Sequence, residues 1–461
     1  MSSSITDSYK KLLLDLFKQD LDSDGVGYYV GLSQAESITL TEDISSPYQE
    51  SKFRHSLMSV KTLSNASFVV PNIRWTGTSS FFPQPFDNDL DTDCYVVNSL
   101  DEVFVCVEPA VTPDGTQLPS TIEPTSGLAN SSAKTFVTSD GYKWRYLYRL
   151  SNLAISVYKT NDWIPIKKIV NPNGEFLSIP EERQQQSLQD SAVAGEIINL
   201  MIDSAGTGYT VAPTITITGN GTGAKFVCDI NGGRITRVRI DSDGSFSDPT
   251  VWAHGSGYDY ASAIVSTGDA VLRPVISKEG LNADPVKTLR SGSIMLQSDF
   301  AGDEFDTILA QNDFNQVGIL RNLKKYGTDS DFTANTGNAL KSLDVNAPTS
   351  GSQFAEDDIF KNGGETAAGK VVYHDTVEGK LYYYQDEETN FVAFDNTTDN
   401  TVSTDDTSAV FTAENPPDFD TYSGEILYIN NLNALGSGSS TTGITREDTQ
   451  TEDIRIVIQL G

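Results

Sequence analysis

One short segment restricts the fold more than any other, because aromatic residues alternate with other residue types from position 142 to position 149. The aromatic positions are Tyr142, Trp144, Tyr146 and Tyr148, and the positions between them are Lys143, Arg145, Leu147 and Arg149. A period of two is the side-chain period of a β-strand, so the segment predicts a strand with two unlike faces. We expect the aromatic face to lie in the core of a sandwich, since aromatic side chains bury large apolar areas. A subunit contact is the alternative.

Other segments carry strand signals of the same kind. They lie at residues 28–32, 94–97, 103–107, 370–374, 380–385 and 454–460. Residues 98–102 and 375–379 separate pairs of these segments, and so predict two β-hairpins. In the last segment Ile454, Ile456, Ile458 and Leu460 alternate with other residues. We expect this C-terminal strand to pair in a sheet of a domain that begins much earlier in the chain.

Helical signals are few. Near the N-terminus, residues of one helical face recur at a spacing of three to four, namely Ile5, Tyr9, Leu12, Leu13, Leu16 and Phe17. Ser4 and Asp7 are candidate caps of this helix, and its apolar face needs a partner surface. Residues 181–190 are polar and helix-prone, and we interpret them as a linker; residues 109–140 are rich in turn-forming residues and predict a long surface loop.

An internal repeat marks one module. Ile197, Leu200, Ile202, Asp203 and Ser204 recur 38 positions later as Ile235, Val238, Ile240, Asp241 and Ser242. Each copy is followed by the same turn motif, Gly206-Thr207-Gly208-Tyr209 in the first and Gly255-Ser256-Gly257-Tyr258 in the second. We expect the glycines to adopt positive φ angles and each tyrosine to cover neighbouring bare backbone. The repeat predicts a pseudo-symmetric β module over about 193–275, and the hairpin at 370–385 predicts a second module, a small barrel over about 350–412.

Charge and cysteine content restrict the function. The chain of 461 residues has 32 Lys and Arg against 63 Asp and Glu, a net charge of −31, which repels nucleic acid and anionic membranes. No apolar run is long enough to span a membrane, and the first residues lack the apolar region of a secretory signal. We therefore expect a soluble protein that is not exported. Cys94, Cys106 and Cys228 lack metal-binding spacing and are expected to be reduced and structural.

Two motifs resemble ligand sites without completing them. Asp20-x-Asp22-x-Asp24-Gly25 copies the start of a calcium-binding loop, but the twelfth position, where a bidentate carboxylate is needed, is Gly31. We expect an acidic turn there. The glycine-rich segment 219–223 has no Gly-Lys-Ser/Thr ending and no helix signal after it, so it predicts a hairpin turn and not a phosphate-binding loop.

No catalytic motif stands out. The three histidines, His55, His254 and His374, lie far apart and each lacks a local metal-ligand partner, and no Gly-x-Ser-x-Gly segment is present. The acidic pairs at 357–358 and 405–406 are expected to be solvated loop charges. Sequence cannot show whether any two carboxylates sit at the separation that glycoside hydrolysis requires. We predict no catalytic, cofactor-binding or metal-binding residues, no cofactor, and a protein that is not an enzyme.

Three segments, taken together and in order, resemble one family. They are the helix through residue 17 with the strand at 28–33, the strand at 103–106 with the block at 139–148, and the closing segments 423–431 and 450–458. In this order they resemble the baseplate wedge subunit of T4-like contractile-tailed phages, the gene product eight family. The resemblance covers about 1–175, a stretch near 285–345, and 412–461. Residues 436–443, rich in Gly and Ser, depart from the tighter connection that the family would suggest.

The resemblance gives an expected domain plan for a mainly β, multi-domain and sandwich-like fold with a few short helices. A discontinuous core is interrupted by two small β modules. The core is expected to comprise 1–192, 276–349 and 413–461, with insertions at 193–275 and 350–412.

The resemblance also implies a function, that of a structural component of a contractile tail baseplate without catalytic activity. Its expected partners are a second copy of itself and other baseplate wedge proteins, with no nucleic acid and no membrane. Its expected location is the virion tail, after synthesis in the bacterial cytoplasm. The alternative hypothesis is a receptor-facing tail protein that binds or depolymerises glycans, suggested by the tyrosine-rich modules and the many carboxylates.

Overall fold

The computed structural model describes residues 6–22, 27–33, 46–63, 65–83, 94–126, 135–241, 253–302, 304, 307–310, 312–431, 444–447 and 449–460. This part of the chain is mainly β with a few helices, as predicted. Its helices are α1 (Asp7–Leu21), α2 (Pro47–His55), α3 (Asn152–Tyr158), α4 (Pro180–Asp190) and α5 (Pro285–Thr288). The predicted first helix is α1, but its proposed cap Ser4 lies outside the described residues, as do residues 436–443.

The strands follow in chain order. The first eight are β1 (Tyr28–Ser33), β2 (Leu57–Thr62), β3 (Asn65–Pro71), β4 (Tyr95–Val97), β5 (Glu102–Glu108), β6 (Thr135–Val137), β7 (Lys143–Arg149) and β8 (Trp163–Ile166). The next eight are β9 (Glu196–Ser204), β10 (Ile215–Gly219), β11 (Thr222–Ala224), β12 (Phe226–Asn231), β13 (Arg234–Ile240), β14 (His254–Ser256), β15 (Ala261–Val265) and β16 (Val271–Ser277).

The remaining strands belong to the second half of the chain. They are β17 (Ser293–Ala301), β18 (Asn312–Phe314), β19 (Gln316–Arg321), β20 (Lys324–Lys325), β21 (Thr336–Asn338), β22 (Lys341–Val345), β23 (Ile359–Asn362), β24 (Ala368–Asp375), β25 (Lys380–Tyr384), β26 (Thr401–Ser403), β27 (Ser408–Asn415), β28 (Phe419–Asp420), β29 (Glu425–Asn431), β30 (Ile444–Arg446) and β31 (Thr451–Gln459).

The chain forms two compact units, and each is discontinuous in sequence. Unit 1 comprises Met1–Leu14, Ser67–Met295 and Val457–Gly461, and unit 2 comprises Asp15–Ala66 and Leu296–Ile456. The start and the end of the chain thus contribute to both units. The plan of one core interrupted by two modules stays a prediction.

In unit 1, one antiparallel sheet has the strand order β4-β5-β7-β6. The predicted hairpin at 94–107 is its first pair, in which Val97 lies opposite Val103. Strand β6 lies within 109–140, so that segment is not a loop throughout as predicted, but supplies the edge strand of this sheet.

The duplicated module of unit 1 contains the predicted repeat. Strands β9 and β13 are the two copies, and their matching residues Ile197, Leu200, Ile235 and Val238 are buried. Strand β9 joins a sheet of order β10-β15-β16-β9, whereas β13 pairs with β12, so the copies share local structure but not sheet membership. Local sequence repeats the strand and the turn, but the partner of each strand depends on the rest of the module.

The turns after the two copies have the same backbone conformation. The φ angles of Gly206 and Gly208 are 65° and 77°, and those of Gly255 and Gly257 are 68° and 73°. A Cβ atom on Gly206 would lie 2.7 Å from the Tyr209 ring, and one on Gly255 would lie 2.8 Å from the Tyr258 ring. Both predictions for this motif, positive φ angles and tyrosine rings covering bare backbone, are confirmed.

Unit 2 contains a five-stranded sheet of order β21-β2-β1-β19-β29. Helix α2 begins after Ser46, whose side chain accepts a hydrogen bond from the backbone N–H of Gln49. The Phe53 ring of this helix lies on the facing glycines Gly31 and Gly318, and a Cβ atom on Gly318 would lie only 2.5 Å from the ring. Two residues without side chains therefore let α2 lie close to the sheet.

Unit 2 also contains a closed barrel of strand order β22-β25-β24-β23-β26-β27. The predicted barrel and its hairpin, β24 with β25, are confirmed. The barrel begins at Lys341 and ends at Asn415, beyond both predicted limits of 350 and 412. Its core is apolar and largely aromatic, with Phe354, Phe360, Tyr383, Phe394 and Phe411 all buried.

The C-terminal strand forms a sheet with a strand from the first hundred residues. The strand order is β31-β17-β3-β8, in which β31 is an edge and β3 begins at Asn65. The prediction that the last strand pairs in a sheet begun much earlier is confirmed. None of the described helices has the length and apolar character needed to cross a membrane.

The predicted linker at 181–190 has a different role. It is helix α4, which packs on β7. Tyr146 donates a hydrogen bond to Gln184 at 3.2 Å, and the side chain of Gln185 is buried. Its polar residues are thus used for side-chain hydrogen bonds to the sheet and neighbouring loops, so composition alone did not reveal that the helix is packed.

Candidate functional site

The candidate site lies within unit 1 and is built around β7. On one face of this strand, Trp144 and Tyr146 join a buried cluster with Phe81, Phe104, Phe136 and Tyr142. The rings of Tyr142 and Trp144 are stacked with centroids 5.4 Å apart, and Phe81 meets Trp144 edge-on at 5.3 Å. The prediction of an aromatic core is confirmed, so this face is not available to a partner.

The opposite face of β7 is also buried, although it carries charges. Lys143 is 6% exposed and Arg145 is 2% exposed. Burial of a charged group is costly unless it is paired and hydrogen-bonded. The two cations of this strand must therefore have partners, and both partners come from other segments of unit 1.

Glu108, the last residue of β5, serves two cations. Its carboxylate accepts hydrogen bonds from Lys143 and from Arg237 of β13, the latter at 2.5 Å. Glu108 is itself only 4% exposed. One buried carboxylate thus links the aromatic sheet to the second copy of the repeat.

Arg145 pairs with Glu196, the first residue of β9. The geometry is bidentate, with Nη1 to Oε1 at 2.5 Å and Nη2 to Oε2 at 3.0 Å. Glu196 also accepts a hydrogen bond from the backbone N–H of Leu281 at 2.9 Å. A planar guanidinium matches a carboxylate in this way better than an ammonium group does, so Lys would not replace Arg145.

The charged state of Glu196 is strongly favoured. Burial alone would raise its pKa, but the Arg145 guanidinium and the hydrogen bonds it donates hold the pKa of Glu196 at about 2. For Lys143, burial lowers the pKa and the adjacent Glu108 opposes that effect. Glu196 is therefore ionised at neutral pH, as a structural link to Arg145 requires.

His254 lies next to this pair, at the start of β14. Its Nδ1 lies 2.9 Å from the carbonyl oxygen of Ile197, so Nδ1 carries the proton and donates it. Burial, followed by the positive charge of Arg145, lowers the pKa of His254 to about 4. Its Nε2 has no hydrogen-bond partner within the described part of the chain. The imidazole is thus a neutral, buried ring.

A cleft of about 370 Å³ opens beside the network. Its apolar lining includes Phe82, Leu200 and Val238, and the Glu108–Arg237 pair lies at its polar side. This volume lies within the range of ordinary ligand pockets, which are mostly apolar with few polar groups. Because the carboxylate and guanidinium are paired with each other, the cleft is suited to holding an apolar side chain and not to proton transfer.

In the acidic N-terminal motif, the first two aspartates have different partners. Asp20 accepts a hydrogen bond from Tyr28 at 2.5 Å, and Asp22 pairs with Lys18 at 2.7 Å. Asp24 and Gly25 lie outside the described residues. Among the residues that the structure describes, no three His, Cys, Asp or Glu side chains form a group suited to a metal ion.

The three histidines occupy separate surroundings. His254 lies in the duplicated module, and His374 lies in the barrel, where its Nδ1 accepts a hydrogen bond from the backbone N–H of Phe354. His55 lies at the end of α2, beside Phe391. The structure does not bring any two of them together.

The glycine-rich segment 219–223 is not the hairpin turn that we predicted. No helix follows it, but its flanking strands β10 and β11 pair with β15 and β14, so it connects two sheets. The acidic pairs at 357–358 and 405–406 are exposed, as expected, and the three cysteines are buried without disulfide bonds.

Sequence reasoning missed the residues that form this site. Glu108, Glu196 and Arg237 lie on three different strands and have no common motif. The one signal that could have pointed to them is the alternation in β7, which places Lys143 and Arg145 on a single face. Comparison with protein families and with curated proteins finds no match to this chain.

Proposed function

We propose that the chain is a structural component of a contractile phage tail baseplate, of the wedge subunit type, and that it acts through protein contacts and not by catalysis. The observation that carries the proposal is the sheet β31-β17-β3-β8, in which the last strand pairs beside strands from earlier in the chain. The resemblance implies that the closing segments complete a body begun near the N-terminus, and this sheet supports the proposal because it contains both β31 and β3. The resemblance to the wedge-subunit family itself rests on the three ordered segments.

The buried ion pairs are consistent with a rigid structural part of an assembly. Arg145–Glu196 and Lys143–Glu108–Arg237 join separate strands of unit 1, and all of these side chains except Arg237, which is 22% exposed, are almost fully buried. Such pairs fix the relative position of the strands, because each charge left without its partner would be costly. A rigid body is what a particle component needs in order to present the same surface in every copy.

The cleft beside Glu108 offers one place for a neighbouring protein. Its apolar lining with one polar side resembles the centre of protein interfaces, where apolar anchors enter desolvated pockets. The net charge of −31 keeps free subunits apart until such contacts form. We propose a second copy of the chain and other wedge proteins as the partners, and the tail of the virion as the location.

The proposal is tested by locating the chain in particles. Tails purified from a lysate in which the chain is made should contain it by mass spectrometry, and gold-labelled antibodies raised against the barrel, residues 341–415, should mark the baseplate end of the tail. Light scattering of the purified chain should give a mass above that of one 50.1 kDa copy.

Two outcomes would count against the proposal. One is a chain that is absent from washed particles yet abundant in the lysate. The other is a strict monomer that also fails to associate with baseplate material. Release of reducing sugar from host polysaccharide by the purified chain would favour the depolymerase alternative instead.

A further inference from the structure

A second surface, in unit 2, carries aromatic side chains that the buried cores do not use. Phe391 is 45% exposed and Tyr422 is 57% exposed, and both contact His55 of α2. The ring centroid of Phe391 lies 5.0 Å from the imidazole, and that of Tyr422 lies 5.6 Å from it. We call His55, Phe391 and Tyr422 the aromatic platform. Its members come from three separate segments, so the fold and not local sequence brings them together.

The rings meet the imidazole with their edges. The interplanar angles are 64° for Phe391 and 60° for Tyr422. The imidazole itself is buried, with a side chain 8% exposed. Both exposed rings therefore contact the same buried imidazole. Exposed aromatic rings next to each other offer apolar surface that a ligand can cover.

The backbone that carries Phe391 is strained. Asn390 and Phe391 have φ angles of 63° and 56°, in the left-handed region that a bulky side chain rarely adopts. The loop before them is fixed by hydrogen bonds from the backbone N–H groups of Glu388 and Thr389 to Asp386 Oδ1 at 2.9 and 3.1 Å. Strain of this kind persists where the surroundings enforce it, and it is concentrated at ligand-binding sites.

The other two members are held just as firmly. The Arg54 guanidinium donates hydrogen bonds to the carbonyl oxygens of Thr421 and Ser423, both at 2.9 Å, on either side of Tyr422. The N–H of Tyr422 donates to Asp420 Oδ1 at 2.9 Å. Helix α2, which carries His55, is seated on the sheet through Phe53. A rigid surface loses little conformational entropy on binding, so a ligand that makes few contacts can still bind.

Besides Arg54, two carboxylates lie around the platform. Glu387 is 58% exposed, and its Oε2 lies 3.6 Å from His55 Nδ1, just beyond hydrogen-bond distance. After partial burial, the charges of Glu387 and Asp420 raise the pKa of Tyr422. An ionised carboxylate accepts hydrogen bonds and donates none. Glu387 can therefore accept hydrogen bonds from the hydroxyl groups of a neutral ligand.

We propose that the aromatic platform binds a neutral glycan built from pyranose sugars. The C–H groups on one face of a pyranose ring pack on the negative face of an aromatic ring, and its hydroxyl groups donate to Glu387. Two exposed rings separated by the imidazole would contact two sugar units of one chain. This binding activity goes beyond the structural role proposed above and does not depend on it.

The test is a titration of the full chain with neutral hexasaccharides of glucose, mannose and N-acetylglucosamine, followed by calorimetry and by saturation-transfer NMR. We expect millimolar or tighter binding of at least one of them. Phe391→Leu keeps an apolar side chain but removes the ring, and Tyr422→Ala removes the second ring; each should weaken binding at least tenfold. Tyr260→Ala, which removes an exposed ring in unit 1, is the matched control and should leave binding unchanged.

Several results would overturn this proposal. Absence of binding by all three sugars at 10 mM, or equal binding by Phe391→Leu and the wild type, would exclude it. Tighter binding of an acidic polysaccharide such as polygalacturonate would contradict a neutral glycan as the ligand. The platform variants could instead bind the sugars as the wild type does but lose association with a baseplate protein. In that case the platform is a protein contact and the glycan proposal is wrong. Unchanged circular dichroism of each variant confirms that it is folded.

Discussion

Arg145 and Glu196 show how a single buried residue can decide the stability of unit 1. Each side chain is 3% exposed, and they meet in a bidentate pair. A buried pair of this kind contributes little compared with a well-packed apolar pair, but removal of one partner leaves an uncompensated charge. The cost of a change at this site therefore depends on whether one or both residues are altered.

We predict that Glu196→Gln destabilises unit 1 by about 3–5 kcal/mol, because Arg145 keeps its charge without a counter-ion. The measurement is urea unfolding followed by near-UV circular dichroism. The double variant Arg145→Met with Glu196→Gln should be less destabilised than the sum of the two single variants.

The matched control for that prediction is Glu365→Gln. Glu365 forms an exposed pair with Lys361, and such pairs contribute at most about 0.5 kcal/mol. If Glu196→Gln and Glu365→Gln had equal effects, the buried pair would not be a structural link.

His254 gives a prediction about pH. Its pKa is about 4 in the folded chain against an ordinary 6.5, so between these values the unfolded chain binds a proton that the folded chain does not. The stabilisation is complete above pH 6.5 and is lost as the pH falls towards 4. We expect the free energy of unfolding to fall by about 2 kcal/mol between pH 7 and pH 5 from this residue alone.

His254→Gln is the variant that isolates the effect. Gln can still donate a hydrogen bond to the carbonyl oxygen of Ile197, but it does not titrate. Urea unfolding at a series of pH values should show a smaller loss for the variant than for the wild type over this window. Parallel curves for the two proteins would show that His254 is not a buried neutral ring. Glu196 changes the free energy of unfolding only at lower pH, between 4.5 and about 2.

At the scale of elements, the first and the second glycine of the repeated turn motif differ in how tightly they are packed. A Cβ atom on Gly255 would lie 2.6 Å from the backbone N of Ala224 and 2.6 Å from the O of Thr222. On Gly208 it would meet no described atom within 4 Å, although φ is also positive. Both glycines therefore need a positive φ angle, but only Gly255 lacks room for a Cβ atom.

We expect Gly208→Ala to cost about 1 kcal/mol for the left-handed backbone, and Gly255→Ala to cost about 1–3 kcal/mol more because the methyl group clashes with backbone. Thermal unfolding of the two variants and the wild type measures the difference. Equal melting temperatures for the two variants would mean that the second turn can relax and that β14 is not held against β11.

Sequence predicted those elements whose signal is local. The aromatic alternation predicted β7 and its core face, the Gly-x-Gly-Tyr motifs predicted two turns, and the hairpin at 370–385 predicted the barrel. Each depends on a side-chain period or a backbone requirement within about ten residues. The candidate site could not be predicted in this way. Lys143 and Arg145 would ordinarily be solvated, and their partners Glu108 and Glu196 lie 35 and 51 positions away in sequence.

The predicted element boundaries were wrong where sheet pairing decides them. Strand β22 belongs to the barrel through its pairing with β25 and β27, but nothing in its own sequence distinguishes it from the preceding region. Helix α4 was interpreted as a linker because it is polar, whereas its glutamines bond to neighbouring segments. Polar residues that are satisfied by tertiary partners look like solvent-facing ones in sequence.

At the scale of the whole molecule, the last strand closes a sheet. β31 lies beside β17, and its residue Glu452 pairs with Arg446, which is 1% exposed. Without β31, the backbone groups of β17 would lose their hydrogen-bond partners on that side.

We therefore predict that a chain ending at Gln450 is largely insoluble or unfolds at a clearly lower temperature. The measurements are soluble yield and thermal unfolding. A synthetic peptide of residues 449–461 added during refolding should restore part of the loss, since it can supply the missing strand. A truncated chain as stable as the wild type would mean that β31 is dispensable for the fold.

We propose that this acidic, multi-module β protein is a building block of a contractile tail. Cryo-EM of intact tails from a phage that encodes the chain tests it most directly. We predict baseplate density into which the six-stranded barrel and the β4-β5-β7-β6 sheet can each be fitted, at positions in contact with other wedge proteins. A baseplate whose density is fully explained by other chains, with this one absent from the particle, would contradict it.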